Sequence, residues 1–461
     1  MPYILKKYYP PRNVFFVLGE SLLIFLSITL VYMAFRGTEN FMEIITLYGV
    51  RALVVTIIFQ SSFYFFDLYD LGGFLSFHDA AARILQSFGV GCIFLAFFYY
   101  IFPIYIIPNR IFWPGFLAVC TAVFLWRYLY NYVLNKKMFA QSVIILGTGK
   151  VANDIIREME RKRDSGYEIV HMIGEENTSF PLPKSIPVTT DIEQLPQLCR
   201  KYNVERIVVA MDDRRGKTPI QQLMECKFMG YPIEYGIKFY ERLAGKILVE
   251  RVNPDWIIYS SGFKKGRLLT FSKQIIDIFL ALVGLILTLP VTVASALIIR
   301  LESPGPVFYL QERTGLHEKP FRLIKFRSMQ SDAEKDGPVW AMKNDTRVTR
   351  FGRFMRKTRI DEIPQMLNVL LGDMSFVGPR PERPVFVEQL AQRIPYYSVR
   401  HNVKPGITGW AQICYPYGAS EEDALRKLEY DLYYIKNMSL QMDFWVIFQT
   451  IKTVLFQKGA R

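Results

Sequence analysis

Four stretches in the first 134 residues, 14–35, 42–66, 85–107 and 111–134, are apolar enough and long enough to cross a bilayer. A helix rises 1.5 Å per residue, so about twenty apolar residues span a hydrocarbon layer of ~30 Å. The runs are therefore read as a four-helix transmembrane unit, residues 1–137. Lys6, Lys7 and Arg12 precede the first run and Lys136 and Lys137 follow the fourth, whereas the short loops on the other side carry mainly Arg36 and Arg110. This asymmetry sets both ends of the unit on the cytoplasmic face. The N-terminus imitates a signal peptide, but no small-residue cleavage site follows, and it reads as a retained anchor.

Composition agrees that part of the chain sits in lipid: 51% of its 461 residues are hydrophobic. Lys and Arg outnumber Asp and Glu by 56 to 42, a net charge of +14. Such a balance suits phospholipid headgroups, phosphorylated substrates or nucleic acid, and charge alone does not choose among them. Cys92, Cys120, Cys199, Cys226 and Cys414 lack CxxC spacing. Neither a disulfide framework nor a zinc site is indicated, and the bulk of the chain is expected in a reducing cytosol.

From about residue 138 to 252 the pattern is that of a Rossmann-like α/β domain. Ser142-Val-Ile-Ile-Leu reads as a buried strand, followed by Gly147-Thr-Gly149-Lys-Val-Ala152 and a helical stretch to Lys162. Further strands are expected from Glu168 and from Arg206, with Glu175 and Glu176 roughly where a ribose-binding acid would fall. The same glycine spacing also serves tight strand-to-helix packing, and no residue is assigned to a bound cofactor. The segment is too short for a six-stranded dehydrogenase domain.

The last segment, 253–461, opens on a fifth apolar run at about 275–299 that contains Asp277 and Pro290. Lys264, Lys265, Arg267 and Lys273 precede it, and Arg300, Arg313, Lys319, Arg322, Lys325 and Arg327 follow. Basic flanks on both sides predict both ends on one face of the membrane, hence a re-entrant helix broken at Pro290. The alternative is a fifth spanning helix kinked at that proline. A reporter near Gly337 is accordingly expected on the cytoplasmic side.

Downstream, Lys319 to Met329 reads as a strand with its basic side chains on one face. Arg347, Arg350, Arg353, Arg356, Lys357 and Arg359 would form a basic stripe on a helix, suited to anionic headgroups or a lipid phosphate. Thr358-Arg-Ile-Asp361-Glu362-Ile-Pro364 then leads into Ile363, Leu367 and Leu370 at helical spacing, with Gly372 as the stop. Proline is tolerated only in a first turn, so Asp361 is expected at or near a helix N-terminus, where a carboxylate stays ionised. A lone Asp at such a place is ordinarily a cap. Here a second acid stands beside it, arginines precede it and Gly378-Pro-Arg380-Pro381 follows.

Six ordered motifs carry a resemblance. They are Ser303-Pro-Gly-Pro-Val-Phe, Gln311-Glu-Arg, Lys325-Phe-Arg-Ser-Met, Asp361-Glu-Ile-Pro-Gln-Met-Leu-Asn, Asp373-Met-Ser-Phe-Val-Gly-Pro-Arg-Pro and Lys404-Pro-Gly-Ile-Thr-Gly-Trp-Ala-Gln. Over roughly 190 residues the chain resembles the bacterial sugar transferases, the monotopic phosphoglycosyl transferases that begin exopolysaccharide and O-antigen synthesis. Its layout is similar to that of the large subgroup. Departures fall at the fifth run, where Lys273-Gln274 and Leu289-Pro290 stand in place of the family's Lys-Arg and Ser-Pro.

The resemblance implies a membrane α/β protein: a four-helix transmembrane unit, a Rossmann-like domain, and a re-entrant helix with an α+β catalytic domain. It implies transfer of a sugar-1-phosphate from a UDP-sugar to undecaprenyl phosphate. Asp361 would be the nucleophile, giving an aspartyl-phosphosugar intermediate with UMP leaving. Glu362 would help hold Mg²⁺ with Asp361 and handle protons, and Arg356 and Arg380 would bind phosphate. Membrane lipid is the implied surroundings and nucleic acid is not a partner; the likeness favours a homodimer. The implied location is the bacterial inner membrane, multi-pass, with the catalytic domain cytoplasmic.

Two other classes compete. A membrane-anchored NAD-dependent nucleotide-sugar dehydratase or epimerase needs a Tyr-x-x-x-Lys pair, yet Tyr167, Tyr202, Tyr231, Tyr235 and Tyr240 all lack Lys four residues on. A non-enzymatic scaffold or sensor predicts instead that Asp361→Asn is harmless. The sequence does not identify the sugar.

Overall fold

The N-terminal apolar runs form four helices, α1 (Pro11–Arg36), α2 (Gly49–Phe65), α3 (Phe77–Ile101) and α4 (Asn109–Asn135). In this computed structural model the described residues are 3–4, 7–8, 11–36, 48–69, 77–135, 140–162, 165–175, 183, 186–212, 218–252, 254–260, 262–330, 346–416, 418 and 420–455. Lys6, Lys136, Lys137, Glu176, Gly337 and the start of the second run lie outside them. Three of the four helices are long and apolar enough to cross a membrane, and α2, at 17 residues, is shorter. The third run ends earlier than its hydrophobicity predicts. Pro103 disfavours helical backbone at Phe102, so α3 stops at Ile101 and a 3₁₀ turn follows. Ile24, Tyr32, Phe59, Phe63, Phe88 and Val123 pack inside the bundle, while Leu22, Ile93, Phe97 and Leu117 face outward. An apolar exterior of this kind suits lipid.

Contacts divide the chain between Phe239 and Tyr240 into two units. The first also holds strands β1 (Gln141–Leu146), β2 (Tyr167–Ile173), β3 (Val188–Thr189), β4 (Arg206–Val209) and β5 (Ile233–Tyr235), in the order β3-β2-β1-β4-β5. All pairings are parallel. Val143, Ile144, Ile145 and Leu146 of β1 and Ile207, Val208 and Val209 of β4 are all buried, the continuous apolar pattern of a sheet covered on both faces. Helices α5 (Lys150–Arg161), α6 (Leu195–Lys201) and α7 (Ile220–Phe228) supply the cover. The strand order is that of a doubly wound sheet, whose switch point lies between β1 and β4.

In the second unit, residues 240–252 pack onto its C-terminal part: Lys246 pairs with Glu429 at 2.8 Å and Trp410 donates to the Gly245 carbonyl at 2.8 Å. The fifth apolar run is α8 (Arg267–Glu302), 36 residues with Pro290 inside and only Asp277, Ala281, Ser295 and Ile299 buried. Helix continues on both sides of Pro290, so the interruption predicted there does not unwind the backbone. Beyond α8 come the antiparallel hairpin β6 (Phe308–Thr314) and β7 (Pro320–Phe326), then α9 (Arg350–Thr358), a 3₁₀ turn at Ile360–Glu362 and α10 (Gln365–Leu370). Next are β8 (Ser375–Val377), α11 (Pro384–Arg393), β9 (Gly406–Thr408), α12 (Trp410–Cys414), α13 (Glu421–Asn437) and α14 (Leu440–Leu455), with β8 and β9 parallel.

Both flanks of Pro290 belong to this unit's core. On one side Ala281 packs with Leu323, Val369 and Met374, and Asp277 accepts from the Phe376 amide at 3.1 Å. On the other, Ile299 packs with Phe326 and Met355, and Glu302 accepts from the Phe351 amide at 3.0 Å.

Candidate active site

Three segments converge on Asp361 and Glu362. Thr349 caps α9, accepting from the Gly352 amide at 2.9 Å, and the helix ends where Arg359 turns left-handed at φ 60°. The acids occupy the 3₁₀ turn that follows. Pro364 is the N-cap of α10, which has only six residues. The sequence places Asp361 at a helix N-terminus; the helix actually begins at Gln365, because Arg359 closes one helix and proline delays the next. No helix terminus therefore holds Asp361 ionised. Burial pushes its carboxyl up from the usual 3.8 to about 6, and the charge of Glu362 adds to the rise against Lys325, Arg359 and Arg356.

Glu362 goes the other way. Burial alone would raise it, but Arg380, Lys325 and Arg359 together outweigh that and hold it well below the usual range. Its Oε1 accepts from Arg380 at 2.7 Å and from Arg359 at 3.3 Å. Two adjacent acids are thus driven apart, the pattern that assigns different roles to neighbouring carboxyls.

Arg380 comes from the loop after β8. Gly378 admits the chain where a Cβ would meet the Lys404 carbonyl and, at 2.8 Å, the Gly406 nitrogen. Prolines on either side restrict Arg380, and its carbonyl accepts from buried Arg400 at 3.0 Å. Arg356 lies one turn before the acids; its Nε donates to Ser328 at 2.9 Å, and its charge acts on Asp361. The basic stripe on α9 thus divides: Arg350, Arg353 and Lys357 are exposed, while Arg356 turns inward. Pro290, exposed on α8, is not part of the cluster.

Lys325 and Arg359 complete the charge balance; the sequence places them only in a basic strand and a basic stripe, with no part beside the acids. The basic residues of β7 do not share one face, because a strand alternates every residue. Arg322 is exposed, whereas Lys325 feels Arg380, Glu362, Arg313 and Asp361. Burial and Arg380 lower the Lys325 ammonium to about 8. Asn368, fully buried, accepts from the Ile324 amide at 2.9 Å and donates to the Arg322 carbonyl at 2.8 Å. It ties the segment bearing the acids to the strand bearing Lys325. Its place in Asp361-Glu-Ile-Pro-Gln-Met-Leu-Asn was the available signal.

A Mg²⁺ ion needs oxygen ligands, often one or two carboxylates completed by substrate phosphates. Asp361 and Glu362 fit that donor set, and Asp361 Oδ1 is buried without a hydrogen-bond partner. Among the described residues no group of three or more His, Cys, Asp or Glu is arranged for a metal, so phosphates or water would supply the remaining positions.

The glycine turn of the first unit has another occupant. Asp212, just past β4, accepts from the amides of Lys150 at 2.7 Å and Val151 at 3.2 Å, the groups that would face a pyrophosphate. A Cβ on Gly149 would collide with that carboxylate, so glycine here admits a side chain of the protein itself. Glu175 is described but enters no such contact; Glu176 lies outside the described residues.

Residues 268–457 match the family model described as bacterial sugar transferase, and residues 64–227 match one described as CoA-binding domain. The chain is 42% identical over 239 residues to the UDP-N-acetylgalactosamine-undecaprenyl-phosphate N-acetylgalactosaminephosphotransferase of Aeromonas hydrophila, covering 52% of this chain and 56% of that protein. It thus spans little more than half of that relative. It is 33% identical to the UDP-glucose:undecaprenyl-phosphate glucose-1-phosphate transferase of Escherichia coli, over 72% of this chain and 71% of the other. The Klebsiella pneumoniae protein of the same description is 31% identical over 90% of each.

Proposed function

The chain belongs to the bacterial sugar transferase family and is a transferase of the undecaprenyl-phosphate hexose-1-phosphate type; on that premise we propose that it draws the sugar phosphate from a UDP-sugar and passes it through a covalent intermediate on Asp361. The observation that carries this reading is the split pair: a buried, unpartnered oxygen on Asp361 beside a Glu362 locked in charge pairs with Arg380 and Arg359.

In the first step an Asp361 oxygen attacks the sugar-bearing phosphorus, and the bond to UMP breaks with its electron pair leaving on UMP. In the second, a phosphate oxygen of undecaprenyl phosphate attacks the same phosphorus, and Asp361 leaves as a carboxylate. Arg356 and Arg380 bind the phosphates, and Lys325 offsets the charge that two carboxylates and two phosphates bring together. Asp361 and Glu362 would hold a Mg²⁺ ion, which when bound would further neutralise the phosphate oxygens. Arg380, Lys325 and Arg359 favour the ionised form of Glu362, which suits it to hold the cation and keep the arginines in place.

α8 supports the proposed membrane setting: its contacts at Asp277 and at Glu302 are with one and the same unit, whereas a rod crossing the bilayer would carry its two ends to opposite sides. Leu282, Ile286, Leu287, Leu289, Val293 and Leu297 between them are exposed and apolar. This supports a helix that dips into one leaflet and returns, with the catalytic unit on the cytoplasmic face of the bacterial inner membrane. Such seating brings the acids to the headgroup plane, where a polyprenyl phosphate resides.

The test is UMP release by the purified full chain with Mg²⁺, polyprenyl phosphate and a panel of UDP-sugars. The reading expects release with one or a few donors, dependent on the acceptor for turnover. No release with any UDP-hexose or UDP-N-acetylhexosamine would refute it.

A further inference from the structure

Arg400 lies in the 3₁₀ stretch Tyr397–Asn402 and is buried together with Asp431 of α13 and with Tyr397. Its guanidinium donates to the Tyr397 hydroxyl at 2.6 Å, to the Asp431 carboxylate at 2.8 Å and to the main-chain carbonyl of Arg380 at 3.0 Å. An ion pair taken out of water is a poor source of stability, since well-packed apolar side chains of similar volume hold a fold as well. The contact that apolar side chains cannot reproduce is the third one.

That contact lands where the loop most needs it. The neighbouring carbonyls are held by other means: Pro379 accepts from the Gly406 amide at 2.9 Å, Pro381 from Arg313 at 3.0 Å and Glu382 from the Thr314 amide at 2.9 Å. Arg380 sits between two prolines, and Arg400 grips the peptide plane on its C-terminal side, one of the two that set the direction in which its side chain leaves the main chain. The Arg380 guanidinium then reaches Glu362 at 2.7 Å.

We infer that Arg400, held by Asp431 and Tyr397, is a positioning residue that acts through Arg380, aiming its guanidinium at Glu362 and at the donor phosphate. Fixing an arginine fork before substrate arrives removes an ordering cost from binding. The inference rests on the proposed transfer reaction. It adds that a residue without access to substrate governs how well the phosphate-binding arginine works.

A double-mutant cycle on the full chain tests it, with UMP release from the preferred UDP-sugar as the assay and donor KM and kcat measured separately. Arg400→Lys keeps the charge for Asp431 but lacks the fork to reach all three acceptors, and kcat/KM is expected to fall about tenfold. In an Arg380→Ala background the same change is expected to cost nothing further, because the group it positions is gone. An equal loss in both backgrounds, or no loss in the wild-type background, would overturn the inference. Should Arg400→Lys fail to fold, the charge-neutral pair Arg400→Gln with Asp431→Asn enters the same cycle and leaves no buried charge unpaired. A wild-type protein that releases no UMP would remove the transfer reading itself. An active wild type with an additive cycle would remove only the role of Arg400.

Discussion

Asp361 and Glu362 differ by one methylene and one position, yet their surroundings separate them. Asp361 is pushed up to about 6 by burial and by its neighbour, so the nucleophile becomes protonated as pH falls through that value. The initial UMP burst should decline below about pH 6, and Lys325→Met should move the decline to higher pH by removing a cation that favours the carboxylate. A burst independent of pH between 5 and 8 would contradict this. Linkage gives a second prediction. A carboxyl whose folded pKa exceeds its unfolded one contributes stability that is present below about pH 4 and lost as pH rises through about 6. Asp361→Asn should therefore melt a few degrees above wild type at pH 8 and show no gain at pH 4. Glu362 has the opposite sign: its contribution is present above its usual 4.5 and is lost as pH falls below it. Glu362→Gln should lower the melting temperature at pH 8, where it leaves Arg380 and Arg359 without their acceptor charge. The identity of the acids was legible in the sequence because the dipeptide sits among arginines and fixed motifs. Their ionisation was not, since it depends on Lys325 arriving from a strand 36 positions away and on a helix that starts four residues later than proline alone suggests.

At the scale of elements, α8 and the glycine turn were each read from pattern and each behaves differently in detail. Pro290 predicts a break, but a proline inside a helix removes one amide donor and need not unwind the turns around it. The proposal of a returning helix rests instead on tertiary contacts: Asp277 and Glu302 both serve as acceptors for backbone amides of the catalytic unit. Single cysteines at positions 264 and 319 should both react with a membrane-impermeant maleimide only after the cytoplasmic face is opened. Reaction of one from each face would support a spanning helix instead. In the Rossmann-like region the strand–turn–helix and the parallel sheet were legible, whereas Asp212 was not, because it reaches Lys150 and Val151 from 61 residues or more away. Asp212→Ala should cost about 1 kcal/mol, typical of a lost capping carboxylate, and speed hydrogen exchange of those two amides. Unchanged exchange there would show that the carboxylate is incidental.

For the molecule as a whole, the order of parts was legible: apolar runs, an α/β segment, then a basic-flanked helix and the motif-rich remainder. Hydrophobic length and charge asymmetry dictate that order whatever the details of packing. The boundary was less so, because residues 240–252 look like the end of the Rossmann-like segment yet pack onto the catalytic unit through Lys246 and Gly245, contacts that no local pattern announces. These parts combine in the proposed reaction, in which a domain seated by α8 uses Asp361 to carry a sugar phosphate between a nucleotide and a lipid. The most direct measurement is intact-protein and peptide mass spectrometry after brief exposure of the full chain to its UDP-sugar and Mg²⁺ without acceptor lipid. The account predicts a hexose-phosphate adduct on the peptide containing Asp361, equimolar with the UMP burst, discharged by polyprenyl phosphate and absent from Asp361→Asn. Rapid UMP release with no adduct, or release by Asp361→Asn at the wild-type rate, would contradict it.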